Sequence, residues 1–360
     1  SILEAEMWKA VLRRRRRTLE TASSLRISLR EQKPFLRSAR LILANQQAVG
    51  WTFRTFLVLI GLSCISTLSA QQERATERLF ATLDSAVSVP ISEASAKESL
   101  LRSILNDEHA KLSDSLMLRT HLELGKLLFY TSRFDSAYTH FIIAESFAEK
   151  SIEQRASLEN MQGAALQRLE RLEAAATHFL HSAELYEELN DLTGAAKVYN
   201  NLSIAYQSMR DFDGAKEYIR RAIRINSQKQ DSLRLGQNFN NLGNVFNALN
   251  ELDSALYYFR KSADIKSKYE PESSQMASSL NNIGLIYQQQ KKYLEAKAFY
   301  ERALELRQKA NDLYGQTSVS LNLIELLVDL KEYQEAEELY EQVAADVEHF
   351  GNFEMLTRYK

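Results

Sequence analysis

Large apolar side chains recur along residues 118–350 at spacings of three and four, the period of a helix with one buried face. The pattern is clearest at Leu280-Asn281-Asn282-Ile283-Gly284-Leu285-Ile286-Tyr287, followed by Tyr293, Ala296, Tyr300 and Ala303. The same line stands 41 residues earlier as Phe239-Asn240-Asn241-Leu242-Gly243, with Phe246, Leu252, Ala255 and Phe259 in matching places. A small residue marks each unit, Ala137, Ala175, Ala215, Ala255, Ala296 and Ala336, at steps of 38, 40, 40, 41 and 40 residues. Four residues later stands Phe141, Phe179, Ile219, Phe259, Tyr300 or Tyr340, and three earlier Phe134, Leu172, Phe212, Leu252, Tyr293 or Tyr333. The other half of each unit carries a second helical stripe, with glycine at Gly125, Gly163, Gly243 and Gly284. Glycine within a helix costs roughly 1 kcal/mol against alanine, so its recurrence points to close packing. Polar turns such as Ser208-Met209-Arg210-Asp211 and Gln289-Gln290-Lys291-Lys292 separate the stripes. The pattern predicts six antiparallel helix pairs with tight connections.

These columns resemble the tetratricopeptide repeat, which couples a large residue, Leu-Gly and Tyr on a first helix to Ala, an aromatic and Ala on a second. The resemblance covers residues 118–350. Ser203 and Ile324 stand in the glycine column, Gln162 replaces the usual leucine, and no proline closes each unit. The longer unit is similar to the repeats of kinesin light chains and of exported regions of bacterial signalling proteins. The resemblance implies an all-α fold, a right-handed superhelical solenoid of antiparallel helix pairs. It also implies that the first helices line a concave surface receiving extended peptides.

The domain expectation assigns 118–155, 156–195, 196–235, 236–276, 277–316 and 317–350 to six repeats. Residues 71–117 hold two amphipathic patterns, around Leu79, Phe80 and Leu83 and around Leu100, Leu101, Ile104 and Leu105, with Pro90 between them. They read as a divergent helical cap over the first repeat, since the end of a solenoid must cover its exposed core edge. The uncharged stretch Phe56–Ala70 follows Arg54 and ends in small residues before Gln71-Gln72. It is shorter than the roughly 20 apolar residues of a spanning helix, so residues 49–70 read as a signal peptide. An uncleaved anchor and lipidation at Cys64 are the alternatives. Residues 1–48, with the run Arg13–Arg17, then read as a spurious or unstructured leader. Residues 351–360 resemble the start of a further, truncated helix, with more repeats, a membrane span or an output domain expected beyond.

Charge narrows the partners. Residues 71–360 carry 33 basic and 43 acidic side chains, a balance that disfavours binding of a phosphate backbone by the repeats. Any membrane contact would come only through an uncleaved leader or a missing downstream span. The single cysteine, Cys64, lies within the apolar leader. The best pair for chemistry is His178 with His181, followed by Glu184, but a zinc site needs three or four ligands. Both histidines therefore read as helix-surface residues, the chain as a non-enzyme, and no cofactor or metal is implied.

One feature exceeds a packed core. Amides recur at Asn200 and Asn201, at Asn240, Asn241, Asn244 and Asn247, at Asn281, Asn282 and Gln288, and at Asn322. Asn201, Asn241, Asn282 and Asn322 share one position in four successive units. Asparagine is disfavoured inside helices. Two readings stay open: the amides pair with the main chain of an extended ligand, or they bridge neighbouring first helices. The functional expectation is an exported protein or peptide interaction module at the extracytoplasmic or periplasmic face, the sensing part of a larger bacterial signalling protein. The alternative is a self-assembling scaffold with no ligand.

Overall fold

The structure is a computed structural model that describes residues 72–107, 112–148 and 151–350. The leader and signal-peptide segments 1–48 and 49–70, and the terminal segment 351–360, lie outside the described residues. The chain divides between Ala75 and Thr76, and all of the repeats lie in the second part. Helix α1 covers 72–88, and a single 3-10 turn at Ile91–Glu93 leads into α2 (Ala94–Leu105). Six pairs come after it: α3 (Asp114–Tyr130) with α4 (Phe134–Glu145), α5 (Ile152–Arg168) with α6 (Leu172–Glu188), and α7 (Leu192–Ser208) with α8 (Phe212–Gln228). The rest are α9 (Ser232–Ala248) with α10 (Leu252–Tyr269), α11 (Ser274–Gln289) with α12 (Tyr293–Lys309), and α13 (Leu313–Asp329) with α14 (Tyr333–Phe350). No strand occurs among the described residues. From α3 onward each helix packs chiefly on its neighbours in sequence, and first helices of successive units also touch, which is the arrangement of a solenoid. No described helix is long and apolar enough to cross a membrane.

Most turns form without glycine or proline. Nine non-glycine residues, among them Asn190, Arg210, Asn250, Lys291 and Lys331, adopt positive φ between 50° and 63°. The next amide then bonds back to the preceding helix, Asp211 N to Tyr206 O at 2.9 Å and Lys292 N to Tyr287 O at 2.9 Å, the closure that ends a helix in a left-handed residue. That same residue opens the next helix. At Asp191, Asp211, Asp231 and Asp312 its carboxylate accepts from amides of the new first turn, satisfying donors that a helix start leaves unpaired.

The alanine column is fully buried from Ala137 to Ala296. Opposite it, the glycine column gives way to the ring four residues after the alanine. A Cβ built on Gly125, Gly163, Gly243 or Gly284 would stand 2.5, 2.7, 2.6 or 2.8 Å from Phe141, Phe179, Phe259 or Tyr300. The two departures obey the same rule. Ser203 faces a unit whose ring is replaced by the smaller Ile219, fully buried; Ile324 accompanies Tyr340, which is only half-buried where its equivalents are sealed.

Space at this crossing predicts a paired outcome. Gly243→Ala should destabilise the array by about 1 to 3 kcal/mol, the usual cost of overpacking. Adding Phe259→Ile, which copies the third unit, should recover part of the loss. Thermal or urea unfolding of the single and double variants checks this; a single variant with an unchanged transition would contradict the crossing geometry.

Candidate functional site

The amides form a ladder between units. Asn201 Nδ2 donates to Asn160 Oδ1 at 2.9 Å, Asn241 Nδ2 to Asn200 Oδ1 at 2.7 Å, Asn282 Nδ2 to Asn240 Oδ1 at 3.1 Å, and Asn322 Nδ2 to Asn281 Oδ1 at 2.9 Å. Four consecutive first-helix contacts thus carry the same rung. The donor always belongs to the later unit and the acceptor to the earlier one, because the second asparagine of each doublet faces back and the first faces forward. Asn160 is the acceptor that the sequence pattern concealed. It lies 40 residues before Asn200, but Met161 replaces the second asparagine, so no doublet announces it.

The ladder uses only part of each amide. An asparagine side chain offers two donors and two acceptor sites. The oxygens of Asn200, Asn240 and Asn281 accept the rungs, and among the described residues their Nδ2 groups meet no protein acceptor. These three residues are half-buried, whereas Asn241 is 8% exposed. Asn244 joins the array by accepting from Asn282 at 3.2 Å. Gln288 stands apart, its oxygen accepting from Tyr300 Oη at 2.9 Å and its nitrogen donating to Asp329 at 3.3 Å. Asn247 Oδ1 is buried without a partner.

His178 and His181 depart from the expectation of plain surface residues. Both direct Nδ1 at one carboxylate, His178 to Glu159 Oε2 at 2.6 Å and His181 to Glu159 Oε1 at 2.7 Å. Glu159 is 6% exposed. Burial alone would raise its carboxyl, but the two imidazole hydrogen bonds outweigh burial and hold it below the usual range. Burial pushes Glu145, which accepts from Gln162 at 2.8 Å, the other way. Glu184 is exposed. Among the described residues no cluster of three His, Cys, Asp or Glu side chains is placed to hold a metal ion.

Residues 153–228 and 275–348 match the family model of the tetratricopeptide repeat. Over these two stretches the chain is built of tetratricopeptide repeats. No curated protein matches it by sequence. Solved structures share its fold at low identity. The apo form of RapI aligns at 16% identity over 72% of this chain and 93% of that one, with a TM-score of 0.59. Aspartyl phosphate phosphatase F from Bacillus subtilis aligns at 18% over 78% and 77%, TM-score 0.53. The apo form of the quorum sensor NprR from B. thuringiensis aligns at 12% over 75% and 87%, TM-score 0.51.

Between successive tetratricopeptide repeats a second polar path runs from the second helix of one unit to the ladder. Asn226 of α8 donates to Asn238 at 2.6 Å, and Asn238 donates to Asn200 at 3.0 Å. One unit on, Lys266 of α10 donates to Ser279 Oγ and to Gln275 O, both at 2.9 Å, and Ser279 lies 3.4 Å from Asn240 Oδ1. Ser262 meets the same hydroxyl at 2.9 Å. Lys266 is 3% exposed, and no carboxylate among the described residues bonds to it. Burial therefore pushes its ammonium down from 10.5 to about 8, with Glu270 countering and Arg307 adding to the shift.

A lysine whose folded state resists protonation costs stability below about 8 and ceases to do so above 10.5, where both states are neutral. Lys266→Met should accordingly raise stability at neutral pH by about 1 to 3 kcal/mol. The advantage over wild type should shrink as pH rises from about 8 toward 10.5. Urea titrations of both proteins across that range read the difference; a constant or opposite difference would contradict the buried-cation account.

Proposed function

We propose that the repeats are an exported protein or peptide interaction module that holds an extended, uncharged segment along the first helices, as the sensing part of a larger signalling protein. The single observation carrying this reading is the regular series of open Nδ2 groups on Asn200, Asn240 and Asn281, whose oxygens are fixed by the rungs. Donors at one position in successive units suit the carbonyls of an extended main chain, whatever its side chains. Similarity in fold to a protein described as a quorum sensor supports the sensing role, and the apolar stretch Phe56–Ala70 supports export. Neutral amides also favour a complex whose affinity varies little with salt, since screening weakens exposed charge pairs.

The ladder offers a substitution that separates ligand binding from architecture. Aspartate keeps an oxygen to accept each rung and lacks the outward donor. Asn200→Asp with Asn240→Asp should weaken binding by about 0.5 to 1.5 kcal/mol for each lost hydrogen bond. Helix content and melting temperature should stay near wild type at neutral pH. Peptides selected by the wild-type protein from a random display library supply the probe, and calorimetry against both proteins supplies the measurement. Equal affinities for the variant would remove the donor series from the site. Concentration-dependent oligomers by light scattering, with no peptide selected, would favour the scaffold instead.

A further inference from the structure

In the first four units one position joins the first helix, four residues before the glycine column, to the second helix, three residues after the alanine column. In the third and fourth units it is aromatic on both sides: Tyr199 stacks on Tyr218 and Phe239 on Tyr258, each with centroids 5.9 Å apart. In the first two units the same position carries titratable groups. His121 of α3 meets His140 of α4 with 2.8 Å between their Nδ1 atoms, the rings stacked at 5.0 Å. Glu159 of α5 meets His178 of α6 through the 2.6 Å hydrogen bond.

These two replacements answer acid in different ways. A bond between two imidazole nitrogens needs a lone pair on one of them, so two protonated rings cannot form it. His121 is 6% exposed and stacks on Phe147. From α2, Glu98 and Arg102 face His140, and Glu98 already binds Arg102 and Arg133. From α1, Asp84 is bound to Arg119 of α3. From α5, Glu159 is engaged by His178 and His181, and Gln162 by Glu145. No carboxylate among the described residues bonds to either ring of the pair. Burial first, then the charge of His140 on His121 and of Arg102 on His140, pushes both rings down to about 4. In the second unit a proton on His178 or His181 instead adds charge to a hydrogen bond with the Glu159 carboxylate, which strengthens it.

We infer that α3 and α4 form an acid-released end of the repeat array, held closed near neutral pH by the His121–His140 pair and bounded by the Glu159 cluster in the next unit. An open or unfolded histidine takes its proton near about pH 6.5, whereas the closed pair refuses it. The closed form is thus fully stable above about 6.5 and loses stability as pH falls from there toward 4. This inference does not depend on what the groove binds.

Hydrogen exchange on the full chain, corrected for the intrinsic pH dependence of exchange, tests it. Between about pH 7 and about pH 5, protection in α3 and α4 should fall about tenfold or more relative to α9 through α12. His121→Tyr with His140→Tyr, which installs the pair found in the third unit, should abolish that difference. Should the larger rings not fit between α3 and α4, the wild-type chain still decides the matter by imidazole NMR, where both rings should stay neutral until pH nears 4. Titration of both rings near about pH 6.5, or protection lost equally in every unit, would overturn the inference.

Discussion

The distance at which the two helices of a unit can cross is the constraint on which the rest of the array depends. A ring four residues after the alanine fills the crossing, and the facing helix must give up its Cβ to admit it. Ser203 with Ile219, and Ile324 with the partly exposed Tyr340, are two other solutions to the same limited volume. Because interiors pack at crystal-like density, such a column tolerates correlated change and resists single change. Once every pair crosses at the same depth, the first helices stack in constant register, and only then can an amide in one unit meet an amide 41 residues earlier, as Asn201 meets Asn160 and Asn241 meets Asn200.

The fold was legible because these columns are periodic. Helix pairing could be read from residues such as Ala255, Phe259 and Gly243, whose spacing reports one helical face and one tight contact. Turn chemistry was less visible: Arg210 and Lys291 adopt a conformation that favours glycine, and their side chains give no sign of it. They hold it because the next amide closes one helix while the next side chain or backbone opens another. The site was legible as a row of asparagines, but its connectivity was not. Spacing places Asn241 and Asn282 on equivalent faces; it does not state that each reaches back to the other asparagine of the previous doublet. Asn160 and Asn238 were missed for that reason, and the role of His178 because its partner, Glu159, lies on a different helix.

The amides also show that a structural role and a binding role need not compete. An isolated asparagine on a helix face can turn to bond its own backbone. In the ladder the oxygen of Asn200 is committed to two donors, Asn238 and Asn241, which fixes the plane of the amide and with it the direction of the unused N–H groups. A donor held in one orientation loses little freedom when it bonds a ligand. Bridging between units is in this sense compatible with the proposed binding role, since the rungs engage the oxygens of Asn200, Asn240 and Asn281 and leave their Nδ2 groups unused.

Stability in such an array is a sum over units and the contacts between neighbours, so the chemistry of each cross-helix position decides where the array yields. Aromatic pairs such as Phe239 with Tyr258 join the two helices by ring stacking. The His121–His140 pair responds to acid, and the buried Lys266 responds in a different range and at a different interface. Lys266 reaches the ladder through Ser279, so a change of charge there acts on the contact between the fourth and fifth units, not on the crossing within one. Polar residues placed within units and between units therefore divide the array into segments with separate responses, while the alanine and ring columns keep the geometry common to all of them.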